Sequence, residues 1–166
     1  MNNNASVNKC PYRSPMAVSD AIADIIRDKV VCELGCAEGD NLAFMGRYAK
    51  KVFGLEYLPR RYHHAQKRGF EVLIQDYRNS PIPDADVYYF WPDNVKRDSE
   101  YLVSKILKNQ EFDGTIIAAG DAGFPPDPPV IKRIAKSGRL IEVPFNEGNG
   151  YRENGIFLLA IVERGK

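Results

Sequence analysis

Apolar residues along this chain alternate between two patterns. Compact runs rich in β-branched and aromatic residues read as strands: Val30–Leu34, Lys51–Leu55, Phe70–Gln75, Ala85–Phe90, Gly114–Ala119, Leu140–Val143 and Ile156–Val162. Between most of them the apolar positions recur at helical spacing, over Met16–Arg27, Asn41–Tyr48, Pro59–Arg68, Ser99–Asn109 and Pro129–Lys136. In the first helix Met16, Ala17, Ala21, Ile22, Ile25 and Ile26 fall on one stripe, and Pro15 stands where a helix starts.

Strand–helix alternation predicts an α/β fold with a mostly parallel sheet of seven strands and helices on both faces. No helix-sized segment separates the last two strand runs, so they predict an antiparallel C-terminal hairpin with a long polar loop. A length of 166 residues suits one domain, expected over residues 11–166 behind a polar, disordered tail of residues 1–10. No repeat is visible, and the Pro-rich stretch Phe124–Pro129 is a stiff loop too short for a linker.

The composition is 44% hydrophobic and 27% charged, a globular balance. No apolar run has membrane length, and the N-terminus lacks a signal-peptide core. A net charge of +1 argues against a broad nucleic-acid footprint, so no nucleic-acid partner is indicated. Cys10, Cys32 and Cys36 lack zinc-type pairing and read as reduced thiols of a cytoplasmic protein. No Cys/His/Asp cluster has metal spacing, and the adjacent His63 and His64 read as surface residues of a basic helix.

The chemistry concentrates at Glu33-Leu34-Gly35-Cys36-Ala37-Glu38-Gly39-Asp40-Asn41. An apolar strand ends in an acid, a glycine turn follows, and a helix begins. In open α/β sheets ligands bind outside the carboxyl ends of the strands. Glu33, Glu38 and Asp40 make this loop acidic, which suits a cationic ligand with an amino group and ribose hydroxyls better than a pyrophosphate. The next strand ends at Glu56-Tyr57, about 20 residues past the glycine loop, where such folds place a ribose-binding acid. The third ends at Asp76-Tyr77 and the fourth at Phe90-Trp91-Pro92-Asp93-Asn94.

This acid-x-Gly-x-x-x-Gly loop, with acids after three successive strands, resembles the Rossmann-like (class I) S-adenosylmethionine (SAM)-dependent methyltransferases over Pro11–Arg164. The resemblance implies SAM as cofactor, held by Glu33, Gly35, Cys36, Ala37, Gly39, Asn41, Glu56, Tyr57, Asp76, Tyr77 and Phe90. In the family the glycine loop passes around the methionine portion. The acid at Glu56 would accept from ribose, and the one at Asp76 from the adenine amine. The Phe90–Asn94 segment would lie beside the methyl group, with Trp91, Pro92 and Asn94 facing the acceptor. Asp93 would orient or deprotonate an amine, or simply cap the following helix. Asp76 reads equally as a turn aspartate, and Trp91 as core.

Pro11-Tyr12-Arg13-Ser14-Pro15 ahead of an amphipathic helix resembles the N-terminal flank of DOT1-like lysine methyltransferases, which implies Tyr12 as a lid contact. Trp91-Pro92-Asp93-Asn94 departs from the Asp/Asn-Pro-Pro-Tyr/Phe of amino methyltransferases acting on DNA bases or glutamine. Acids at the rim, Asp121 and Asp127 in one loop and Glu147 and Glu153 in another that also holds Tyr151 and Arg152, favour a protein lysine or small amine as acceptor. A carboxylate or hydroxyl metabolite comes second. Alternatives are a non-catalytic SAM-binding protein, a partner-dependent subunit and, less favoured, an NAD-dependent oxidoreductase. Against the last, Ala37 and Asp40 replace the second and third glycines of the dinucleotide fingerprint.

Overall fold

The computed structural model describes residues 16–92, 96–108, 112–123, 127–145 and 155–164. Tyr12, Asp93, Asn94, the tail over residues 1–10 and the loop holding Glu147, Tyr151, Arg152 and Glu153 lie outside these residues. In chain order the elements are α1 (Met16–Ala21), α2 (Ala23–Ile26), β1 (Val30–Leu34), α3 (Asp40–Met45), β2 (Lys51–Glu56), α4 (Pro59–Lys67), β3 (Val72–Ile74), β4 (Val87–Phe90), α5 (Lys96–Lys108), β5 (Thr115–Asp121), α6 (Asp127–Ile134), β6 (Arg139–Phe145) and β7 (Gly155–Glu163).

The strands form one sheet in the order β3-β2-β1-β4-β5-β7-β6. β1 to β5 are parallel, and β7 runs antiparallel between β5 and β6. This is the expected mixed sheet with its terminal hairpin. Side chains leave the sheet alternately, which builds two cores. Val31, Val87, Tyr89, Ile117 and Phe157 pack with α1, α3 and Ala65 of α4. Cys32, Tyr88, Phe90, Ile116 and Leu158 pack with α5 and α6. The consecutive aromatics of β4 are thus shared between the faces. Strand order reverses between β1 and β4, the switch point at which such sheets bind ligands.

Boundaries depart from the periodicity where local geometry intervenes. The expected helix Met16–Arg27 breaks at Ile22, whose φ of −103° and ψ of 2° leave the helical region. Val18, Ile22 and Ile26 still reach one core across the break, whereas Ala21 faces solvent. β6 runs on through Pro144 to Phe145, because an edge strand tolerates proline. α6 starts at Asp127, with Pro128 and Pro129 in its first turn, where proline costs no hydrogen bond. Phe70 stays out of β3 and packs under the glycine loop: a Cβ on Gly39 would stand 2.6 Å from its ring.

Candidate functional site

The loop joining β1 to α3 is pinned from below by β2. The N–H groups of Gly35 and Cys36 both donate to the Leu55 carbonyl, at 2.9 and 3.0 Å. Three residues of the loop take positive φ: Gly35 at 79°, Ala37 at 48° and Gly39 at 82°. Glycine takes that conformation without penalty, and alanine does not. Ala37 is held there by Glu56, whose Oε2 accepts its N–H at 3.0 Å. The other oxygen of Glu56 accepts from Leu58 N–H at 2.8 Å. The carboxylate therefore ties the glycine loop to the start of α4 while only 3% exposed.

Glu33 is equally buried, at 3% exposure, on the α3 face of β1. Asn41 Nδ2 donates to its Oε1 at 2.7 Å. Among the described residues its Oε2 finds no hydrogen-bond partner. Burial pushes the Glu33 carboxyl up to about 8; Asn41 pulls the other way, and the nearby charges of Asp40 and Glu56 add to the rise. A buried acceptor of this kind asks for a donor, preferably a cationic one.

The two loop glycines differ. A Cβ on Gly39 would meet Phe70, whereas a Cβ on Gly35 would meet no atom of the described residues within 4 Å. Gly35 faces open space, and the need for glycine there is a need for backbone shape and clearance. Cys36 turns its side chain into the core against Gly54, where a Cβ would come within 2.3 Å of the sulfur. Burial pushes its thiol well above the ordinary range, so the loop backbone is what Cys36 can offer a ligand.

The loop's other acids are engaged. Arg68, just past α4, donates from Nη1 to Asp40 Oδ1 at 2.7 Å and to the Glu38 carbonyl at 2.6 Å. His64 Nδ1 lies 3.5 Å from Glu38 Oε2. The acidity expected of the whole loop is thus borne, for a ligand in its mouth, chiefly by Glu33. The sequence reading missed Arg68 because its partner is 28 positions away.

Further along the mouth the groups diverge. Asp76 accepts from the backbone N–H and guanidinium of Arg78, at 2.7 to 3.1 Å, in a turn that also involves Asn79. These bonds hold its carboxyl below the usual range. The Arg78 guanidinium lies 5.2 Å from the ring centre of Tyr57, which is 48% exposed. Tyr77 is half-buried, and its carbonyl accepts from Lys105 Nζ at 2.6 Å. Phe90 is buried among the α5 and α6 residues. Trp91 is half-buried on the opposite face, edge-on to Phe157 at 5.5 Å, and Pro92 is buried beside it. Asp121, at the end of β5, is buried and accepts from Gly123 N–H at 2.8 Å. No group of His, Cys, Asp and Glu able to hold a metal occurs among the described residues. No helix among them is long and apolar enough to cross a membrane.

A seven-stranded sheet of this order, with an acid-tipped glycine loop at its switch point, is the architecture of the class I SAM-dependent methyltransferases. Similarity to known proteins agrees. The chain is 25% identical over 134 residues to protein-L-isoaspartate O-methyltransferase 2 of Nitrosococcus oceani, covering 81% of this chain and 52% of that protein. It therefore spans about half the length of that curated relative. Its fold matches a dimethyladenosine transferase from Plasmodium falciparum with a TM-score of 0.67 and 16% identity, over 92% of this chain and 63% of the other. It also matches an RNA methyltransferase from Salinibacter ruber in complex with S-adenosyl-L-homocysteine, with a TM-score of 0.64 and 16% identity, over 92% and 94% of the two chains. No family model matches the chain. The chain thus has the Rossmann-like fold of the class I SAM-dependent methyltransferases.

Proposed function

We propose that this protein transfers the methyl group of SAM to an acceptor. The observation that carries the reading is the buried Glu33 carboxyl, with one oxygen unpartnered among the described residues, in the same β1–α3 turn as the open space over Gly35. That combination fits a ligand with a cationic amino group. SAM supplies an activated methyl on its sulfonium, and the transfer is an in-line displacement that needs alignment and exclusion of water more than acid–base groups. In this reading Glu33 takes the ligand's amino group. Gly35, Ala37 and Gly39 give the backbone its curve around the ligand. Glu56 offers its remaining lone pairs to the ribose while holding the loop. Tyr57, Asp76 and Tyr77 flank the adenine, and Trp91 and Pro92 wall the acceptor side.

The acceptor placed first is an amine: a protein lysine, a small amine or the exocyclic amine of a nucleobase. The last enters because structural neighbours are named for dimethyladenosine and RNA. A protein carboxylate comes next, as the name of the isoaspartate relative suggests. The rim supplies less support for a cationic acceptor than its acids promised, since Asp121 spends an oxygen on its own turn.

Calorimetric titration with SAM, S-adenosylhomocysteine and NAD tests the reading. Binding of the first two at micromolar concentration and none of NAD is the expected result. Binding of NAD alone, or of none of the three, overturns it. A tritiated-methyl transfer assay against lysine peptides, isoaspartyl peptides, small amines and RNA then assigns the acceptor.

A further inference from the structure

The run Tyr57–Phe70 holds four of the chain's 23 Lys and Arg and none of its 22 Asp and Glu. The net charge of +1 therefore hides an asymmetry, because the rest of the chain is net negative. α4 occupies most of this run, and it is barely used for packing: Ala65 is its one buried residue. Arg60, His63, His64 and Lys67 are all exposed and recur at i, i+3, i+4 and i+7, one stripe of the helix. Arg68 and His64 turn toward the loop acids Asp40 and Glu38. Arg60 and Lys67 enter no ion pair among the described residues. They stand about 10 Å apart along the axis at 1.5 Å per residue. His63 adds an exposed ring to the stripe, 5.2 Å edge-on from Tyr62, which packs against the core on the other side of the helix.

We infer that the exposed face of α4 binds the phosphodiester backbone of a nucleic acid. Exposed cations on one stripe, free of acidic neighbours within the helix, attract phosphates and release counterions. The exposed imidazole of His63 offers a stacking face to an unpaired base, which an acidic peptide would not use. The position is suited to substrate delivery. Glu56, just before α4, and Arg68, just after it, both grip the glycine loop, so a strand lying on α4 runs beside the proposed methyl-donor site. This deepens the methyltransferase reading toward a nucleic-acid acceptor, while the binding step holds with or without SAM.

The test is fluorescence anisotropy of the full chain with labelled 20-mers of single-stranded RNA, single-stranded DNA and duplex DNA, and with poly-glutamate of matched charge. Arg60→Glu combined with Lys67→Glu should weaken nucleic-acid binding at least tenfold at low salt. The milder pair Arg60→Gln and Lys67→Gln should weaken it severalfold and reduce the slope of log affinity against log salt by about one to two. Both variants should keep the wild-type melting temperature and SAM affinity, since neither side chain packs in the core. Nucleic-acid binding that is absent, unchanged in both variants or equalled by poly-glutamate overturns the inference. A failure of SAM binding alone counts against the methyltransferase reading and not against this one.

Discussion

The ends of β1 and β2 each bury a glutamate to the same degree, yet the two carboxyl groups are supported in opposite ways. Glu56 accepts a backbone N–H on each oxygen, from Ala37 and Leu58. Glu33 accepts from the Asn41 side chain on one oxygen and finds no partner among the described residues on the other. Glu56 therefore serves the fold first, and any ligand contact it makes uses spare lone pairs. Glu33 is held in place by one bond and leaves an acceptor over for something outside the chain. A buried acid at a strand end can thus be architecture or site, and the count of its satisfied oxygens separates the two.

Removing the architectural acid should have the largest effect. Glu56→Ala leaves two backbone N–H groups without their acceptor and lets Ala37 relax from its left-handed conformation. An orphaned donor costs about 1–3 kcal/mol, so the two together give an expected stability loss of about 2–6 kcal/mol. Urea denaturation monitored by circular dichroism measures it. SAM affinity should fall together with stability, because the loop and the proposed ribose contact fail at once. A variant with wild-type stability and weakened SAM binding would reassign Glu56 as a ligand contact alone.

Glu33 gives a smaller effect that depends on pH. Its folded carboxyl is pushed up to about 8 from an ordinary value of 4.5. In the unfolded chain it ionises near 4.5, so between these values the folded state holds a proton that the unfolded state has lost. Stability from this group is fully present below about pH 4.5 and is lost as pH rises toward 8. From pH 6 to pH 9 the loss is about 2–3 kcal/mol. Glu33→Gln keeps an oxygen for Asn41 and cannot ionise, so its stability profile should be flatter over that window. Chemical denaturation at pH 6 and pH 9 decides the matter, and parallel profiles for the two proteins would show that Glu33 does not titrate there. A cationic ligand should reverse the preference by favouring the ionised form, so the same variant should bind SAM more weakly.

How far the sequence predicts these roles depends on how local their causes are. The strand, glycine turn and helix over residues 30–50 were legible, because apolar periodicity and turn chemistry are properties of neighbouring residues. So was the sheet class, which follows from the order of strands and helices. The acids at Glu33, Glu56 and Asp76 were visible as strand-end residues, but their use was not. Asp76 is taken up by Arg78 two positions on, a contact that turn chemistry alone weighs evenly against a ligand role. Arg68 neutralises Asp40 from 28 positions away, and Cys36 fits against Gly54 from the next strand. Such pairings are set by the sheet and leave no periodic trace. The break at Ile22 escaped for a related reason, since Val18, Ile22 and Ile26 keep helical spacing across it and bury the same face.

The smallest expected effect on the fold separates shape from occupancy at the loop itself. Gly35→Ala places a Cβ where no atom of the described residues lies within 4 Å, so no packing clash with them accompanies it. What remains is the cost of holding alanine at a φ of 79°, about 1–2 kcal/mol. If the space over Gly35 belongs to the methionine portion of SAM, the added methyl enters the ligand's volume, and affinity should fall tenfold or more for this modest loss of stability. Gly39→Ala is the control. There the Cβ meets Phe70 at 2.6 Å, so the damage falls on packing and should lower the melting temperature further than Gly35→Ala does. Thermal melts and SAM titrations of the two variants give the answer. Equal SAM affinity in Gly35→Ala and the wild type would place the ligand elsewhere and leave Glu33 an acid without a site.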